Sequence, residues 1–141
     1  MGRMWIRPYR NEDESAVIAL WGECGLVVPH NDPVADIRRK LKVAPELFLV
    51  GVLDSQIIAS VMACYEGHRG WINYLAVAPD LQGNGYGRQI MEHAEQLLRE
   101  RDCPKINLQI RSSNRKVIAF YQRLGFAVDD VLSMGKRLVV D

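Results

Sequence analysis

Apolar and polar positions alternate along this chain in two different rhythms, and the rhythm predicts the elements. Residues 4–9 (MWIRPY) read as a short first strand. Over 11–24, Val17, Leu20, Trp21 and Cys24 recur at the i, i+3, i+4, i+7 spacing of one helix face, and Gly25 ends that helix. Asn31, Asp32 and Pro33 form a helix start, a capping residue before proline at the first turn. This second helix carries Val34, Ile37 and Leu41 inward and turns Arg38, Arg39, Lys40 and Lys42 to solvent; Pro45 closes it. Residues 47–53 (LFLVGVL) read as a strand buried on both faces, Asp54 and Ser55 as a two-residue turn, and 56–65 as the strand that pairs back. A polar loop, 66–70, leads into another strand at Trp71. After Pro79 come three glycines at alternate positions, then a stripe of Ile90, Met91, Ala94, Leu97 and Leu98 with charged residues opposite, which is a long amphipathic helix. Residues 105–110 (KINLQI) predict a strand, and Ser112 to Asn114 start a last helix that Gly125 ends. Two final strands are expected at 126–130 and 133–139.

These elements order into a mixed α/β sheet. The strands between 47 and 77 can form an antiparallel meander, whereas the connection from Val77 through a helix to Lys105 should be a right-handed parallel crossover. Helices then cover both faces. With 141 residues the chain suits one domain, 1–141, and no repeat or linker interrupts it.

Composition removes several function classes. Hydrophobic content of 48% and charged content of 25% are those of a globular protein, and no apolar run is long enough to span a bilayer. Eighteen basic against 17 acidic residues give a net charge of +1, so no basic field points to nucleic acid. Cys24, Cys64 and Cys103 are widely spaced and form no metal-ligand pattern, which suggests reduced thiols in a cytoplasmic protein without a metal. An exposed strand or helix leaves a homodimer open.

The chemistry concentrates in WINYLAVAPDLQGNGYGR, 71–88. Glycine at 83, 85 and 87 lets the backbone turn sharply and brings amide N–H groups close to a ligand, and the following helix turns its positive dipole end to the same spot. A phosphate fits there. The spacing is neither the G-x-G-x-x-G of a dinucleotide fold nor the G-x-x-x-x-G-K-[ST] of a P-loop. It is Q-x-x-G-x-G after Leu75-Ala-Val-Ala-Pro79, and in this the chain resembles the GNAT family of acetyl-CoA-dependent N-acetyltransferases. A second stretch, NRKVIAFYQRLGF at 114–126, looks like the same family's other motif, N-x-x-x-x-x-x-Y-x-x-[LG]-G-F. Asn114 and Tyr121 lie nearly two helical turns apart, so they share a face about 10 Å long. Segments such as His30-Asn-Asp-Pro33 and Gly67-His-Arg-Gly70 look like the small bacterial YpeA-like branch.

The resemblance implies a GNAT fold, a mixed and mostly antiparallel sheet of about six to seven strands with a splayed central parallel pair that holds pantetheine. It implies that the edges of Leu75, Ala76 and Val77 bond the pantetheine amides and that the amides of Gly83, Asn84, Gly85, Tyr86, Gly87 and Arg88 wrap the pyrophosphate. Gln82 would shape that loop, Asn114 would steady the cofactor arm, and Tyr121 would lie by the thioester sulfur and assist thiolate departure. Acetyl-CoA is then the co-substrate and a primary amine the acceptor. A small-molecule amine and a protein lysine or N-terminus both stay open, as does an acyl-CoA-binding module without turnover. Many relatives that acetylate protein N-termini carry a glutamate five residues before the motif asparagine; here that residue is Gln109, which cannot accept a proton usefully. Glu66, His68 and Asp32 are the candidate bases, with Glu66 favoured because it feeds the strand at Trp71.

Overall fold

A computed structural model describes residues 3–139 of the chain, which falls into two units, the first ending at Leu108 and the second beginning at Gln109. One sheet organises the first unit. Its strands are β1 (Trp5–Pro8), β2 (Phe48–Leu53), β3 (Gln56–Tyr65), β4 (Gly70–Val77) and β5 (Ile106–Leu108), in that order across the sheet. Neighbours from β1 to β4 are antiparallel, and β4 with β5 is parallel. The hairpin between β2 and β3 closes with Asp54 and Ser55 at φ of 49° and 65°. Two left-handed residues in succession match the twist of the flanking strands, so this turn forms without the usual Asn-Gly pair.

Helices cover the two faces because the strands alternate. On one face Val17, Leu20 and Trp21 of α1 (Glu14–Glu23) and Ile37 of α2 (Pro33–Lys40) close over Phe48, Val50, Met62 and Ala76. Leu49 and Val61 point the other way and are fully buried, and α3 (Tyr86–Arg99) packs against β2, β3 and β4. Gly70 leaves no room for a side chain, since a Cβ there would sit 2.8 Å from Cys103 Sγ and 3.4 Å from Leu98 Cδ1. At the other edge, Asp13 accepts from Arg7 at 2.7 and 3.0 Å, with both side chains largely buried. Burial alone would raise the Asp13 carboxyl, but the Arg7 guanidinium and the Arg10 amide bring it below the usual carboxylate range.

Lys40 corrects the expectation of a fully solvated basic face on α2. It is buried, and its Nζ donates to the Ala63 carbonyl at 2.5 Å. The reason is helical period: Lys40 stands three residues from the inward Ile37 and shares its side of a short helix. Burial pushes its ammonium down from the usual lysine range.

The second unit contains α4 (Arg115–Arg123), which ends through Leu124 and Gly125 at φ 98°. The strands expected at 126–130 and 133–139 do not form. Among the described residues no strand follows α4, so the sheet has five strands instead of six to seven, and the parallel pair lies at its edge rather than its centre. Alternation alone is insufficient for a strand, because the main chain needs a ladder partner and the apolar side chains need cover. Here Leu132 and Met134 are each 92% exposed.

Candidate active site

The site begins where β4 loses its parallel partner. β5 pairs with β4 only from Gly70 to Ile72, after which β4 continues to Val77 with one side unpaired. Within that open length the strand is not regular. Met62 faces Asn73 and Ser60 faces Ala76, so two residues on β4, Tyr74 and Leu75, stand against Val61 alone. Tyr74 takes φ 52°, a left-handed conformation that a bulky residue adopts only when its surroundings impose it. The surroundings do so from three sides. The Tyr74 ring stacks on Trp21 at 3.9 Å, its hydroxyl donates to Asp36 Oδ2 at 2.6 Å, and its carbonyl accepts from the Ser60 hydroxyl at 3.1 Å. Trp21 Nε1 donates in turn to Ser60 Oγ at 2.8 Å, inside the core. A bulge of this kind re-aims the strand beyond it.

Beyond the bulge, Ala76 stays in the ladder with Ser60, and Ala78 N–H donates to the Ile58 carbonyl at 2.8 Å. Alternation therefore turns the Val77 peptide groups away from β3. The Val77 carbonyl accepts from Gln82 Nε2 at 3.0 Å and from the Cys24 thiol at 3.2 Å. Gln82 thereby ties the glycine loop back to the strand it leaves. Asn84 Nδ2 donates to the Leu81 carbonyl at 3.0 Å and braces the loop from inside.

The loop ends in a bare helix start. Gly83 and Gly85 take φ of 83° and 88°, and Gly85 is the residue before α3. The Gln89 N–H donates to the Gly85 carbonyl at 3.0 Å, and the amides of Tyr86 and Gly87 stand ahead of that bond at the start of the helix. No side chain caps them and no acidic residue stands in the first turn. Backbone N–H groups at a helix start and the positive end of its dipole suit an anion. A Cβ at Gly83 or Gly85 would meet nothing within 4 Å, so the space above these residues is open. Tyr86 contributes its amide alone, since its side chain is buried.

In the second unit, Asn114 caps α4 by accepting from Val117 N–H at 3.3 Å. Tyr121 is 7% exposed and lies edge-on to Phe120 and Phe126, at 5.1 and 5.4 Å. Burial raises its hydroxyl well above the usual tyrosine range, so the group keeps its proton. Gln109 donates its side-chain amide to the Ser133 hydroxyl.

The three candidate bases are engaged elsewhere. The Glu66 carboxylate accepts from the amides of Arg69 and His68, which hold it below the usual carboxylate range. It sits before the first residue of β4, whereas the glycine loop follows the last; eight residues of strand, roughly 25 Å, separate them. Asp32 caps α2 by accepting from Ala35 N–H at 3.1 Å. His68 shares the exposed loop of Glu66, its Nδ1 3.4 Å from Arg69. Glu66, the favoured candidate, thus folds its own loop through Oε1, at the start of β4. What the sequence reading missed is Tyr74 with Asp36, Trp21 and Ser60, because an apolar run of strand residues gives no sign of a left-handed kink. Among the described residues no group of three or more metal-ligating side chains comes together.

A family model described as acetyltransferase (GNAT) family matches residues 9–126. An acetyltransferase of Yersinia pestis is 44% identical over 138 residues, which cover 98% of each chain. Among solved structures, Ard1 from Thermoplasma volcanium is similar with a TM-score of 0.80 and 21% identity, over 89% of this chain and 84% of that one. AAC(6')-Iy, solved with the bisubstrate analogue CoA-S-monomethyl-acetylneamine, is similar with a TM-score of 0.78 and 18% identity, over 96% of this chain and 99% of that one.

Proposed function

The chain belongs to the acetyltransferase (GNAT) family, and on that premise we propose that it moves an acetyl group from acetyl-CoA to a primary amine by direct attack. One observation carries the reading: the open edge of β4 runs straight into a glycine loop whose strut is Gln82 and whose helix start is left uncapped. A ligand with a long amide-bearing arm and a pyrophosphate at its end matches that order of groups. The arm lies along Leu75 and Val77, with Ala76 holding the strand to β3, and the pyrophosphate takes the amides of residues 83–88. Asn114 steadies the arm. The bound CoA analogue in AAC(6')-Iy supports this choice of donor. We read residues 1–141 as one domain, since the family match runs through both units.

The chemistry then needs few groups. The amine nitrogen attacks the acetyl carbonyl, the C–N bond forms, and the Val77 amide steadies the oxygen that becomes negative. The C–S bond breaks as coenzyme A departs as a thiolate, and Tyr121 donates a hydrogen bond to the sulfur. A thiolate pKa near 8.5 makes it a tolerable leaving group, and burial keeps the Tyr121 proton in place to be shared rather than lost. Gln109 cannot accept the proton, and an amine of pKa near 10 is only about a thousandth neutral at pH 7, so the enzyme either captures that neutral form or passes the proton through water to Glu66, His68 or Asp32. The proton of the adduct leaves through water.

The test is release of free coenzyme A when the protein receives acetyl-CoA with pools of small amines or of peptides. We expect release that depends on an amine in one pool, with a product heavier by one acetyl group. Binding of acetyl-CoA without release in any pool would instead support the acyl-CoA-binding module.

A further inference from the structure

A second site lies at the far edge of the sheet. Where β1 runs into α1, a cleft of about 290 Å³ opens between Tyr9, Asn11 and Glu14 on one side and Ile37, Arg38 and Leu41 of the α2 segment on the other. It is distinct from the glycine loop: β1 is three strand spacings, roughly 14 Å, from β4. Its floor is rigid. Tyr9 stacks on Phe48 at 4.4 Å with the rings 5° from parallel, and its amide donates to the Phe48 carbonyl at 2.8 Å.

Tyr9 is 9% exposed, and its hydroxyl, which is not a buried atom, opens into the cleft without a hydrogen bond to any described residue. Glu14 and Arg38 stand on facing helices and form no ion pair, with each other or with any other described residue; the Asn11 amide is likewise unengaged. Both charges are felt at Tyr9. After burial, Glu14 is the largest influence raising its hydroxyl, and Arg38 acts in the opposite sense. Arg38 is exposed and Glu14 half-buried, so water solvates both charges. Here a gap remains between them, floored by an unpartnered tyrosine hydroxyl and walled by Ile37 and Leu41.

From this arrangement we propose that the cleft between β1, α1 and α2 binds a small zwitterion, a free α-amino acid with an aliphatic side chain. The carboxylate meets the Arg38 guanidinium, whose planar fork takes it in two bonds. The ammonium meets the Glu14 carboxylate, the Tyr9 hydroxyl completes the shell, and the aliphatic chain lies on Ile37 and Leu41. The cleft is at the lower limit of size for small-molecule sites, which suits an amino acid.

The test is a calorimetric titration of the full chain with L-leucine, beside isoamylamine and isocaproate, which each carry one of its two charges. L-leucine should bind and the single-charge analogues should bind about 10-fold or more weakly, as loss of one charge-assisted hydrogen bond implies. R38A and E14Q should each weaken L-leucine by a similar factor. Y9F keeps the stacked ring and the fold, as a thermal melt will confirm, and should weaken it by a smaller one. Absence of binding at millimolar L-leucine overturns the proposal. So does binding that R38A and E14Q leave unchanged, since the amino acid would then occupy another place, such as the acceptor site of the transferase.

Discussion

A Gly85→Val protein should bind acetyl-CoA at least one to two orders of magnitude more weakly than the wild type. Two effects combine. Gly85 holds φ 88°, where a β-branched residue is strained by about 1–3 kcal/mol, and relief of that strain moves the amides at the start of α3 out of place. The added side chain also projects into the open space above the loop, where an approaching pyrophosphate must come within hydrogen-bond distance of the backbone. Gly67 supplies the control. It has φ 103° and equally open surroundings, but it lies in the loop before β4. Gly67→Val should therefore carry comparable strain and leave acetyl-CoA binding intact. Equal losses in the two proteins, measured by calorimetric titration, would mean that the effect is general destabilisation and that the glycine loop is not the anion site.

Tyr121→Phe should do the reverse, sparing affinity and lowering kcat by about 10- to 1000-fold, the range for removing an acid or a hydrogen-bond donor to developing charge. Only an oxygen is lost. The ring keeps its burial and its edge contacts with Phe120 and Phe126, and the sulfur carries negative charge only as the C–S bond breaks, so the ground-state complex is little changed. The raised pKa gives this prediction a pH signature. Because burial favours the neutral hydroxyl, Tyr121 stays protonated through pH 10, and the wild-type rate should show no downward limb there from its ionisation. A Tyr121→Phe protein with full activity would make the residue a core aromatic and nothing more.

The parts of this molecule that were legible in its sequence are those fixed by local chemistry. Glycines before an amphipathic run point to a left-handed loop and a helix start; Gly83 and Gly85 form that loop, while Gly87 already lies inside α3. Asp32 and Asn114 each cap the helix that follows, because a short polar side chain before a helical run has few better uses. The meander and the parallel crossover followed from strand length and connection length. What stayed hidden depends on partners distant in the chain. Tyr74 is turned left-handed by Trp21, Ser60 and Asp36, none of them within ten residues of it. Lys40 reads as solvated until Ala63 is found beside it. Residues 126–139 alternate like strands, but no ladder partner in the sheet takes them up among the described residues.

The central claim is that the glycine loop holds the pyrophosphate of acetyl-CoA while the edge of β4 holds the arm. It is tested most directly by titrating the protein in parallel with acetyl-CoA and with S-acetylpantetheine, which keeps the thioester and the amide arm but lacks the pyrophosphate and nucleotide. Acetyl-CoA should bind at least 100-fold more tightly, since three or more charge-assisted contacts to backbone amides separate the two ligands, and Gly85→Val should erase most of that difference. Equal affinity for the two, or a preference that Gly85→Val leaves untouched, would contradict the account.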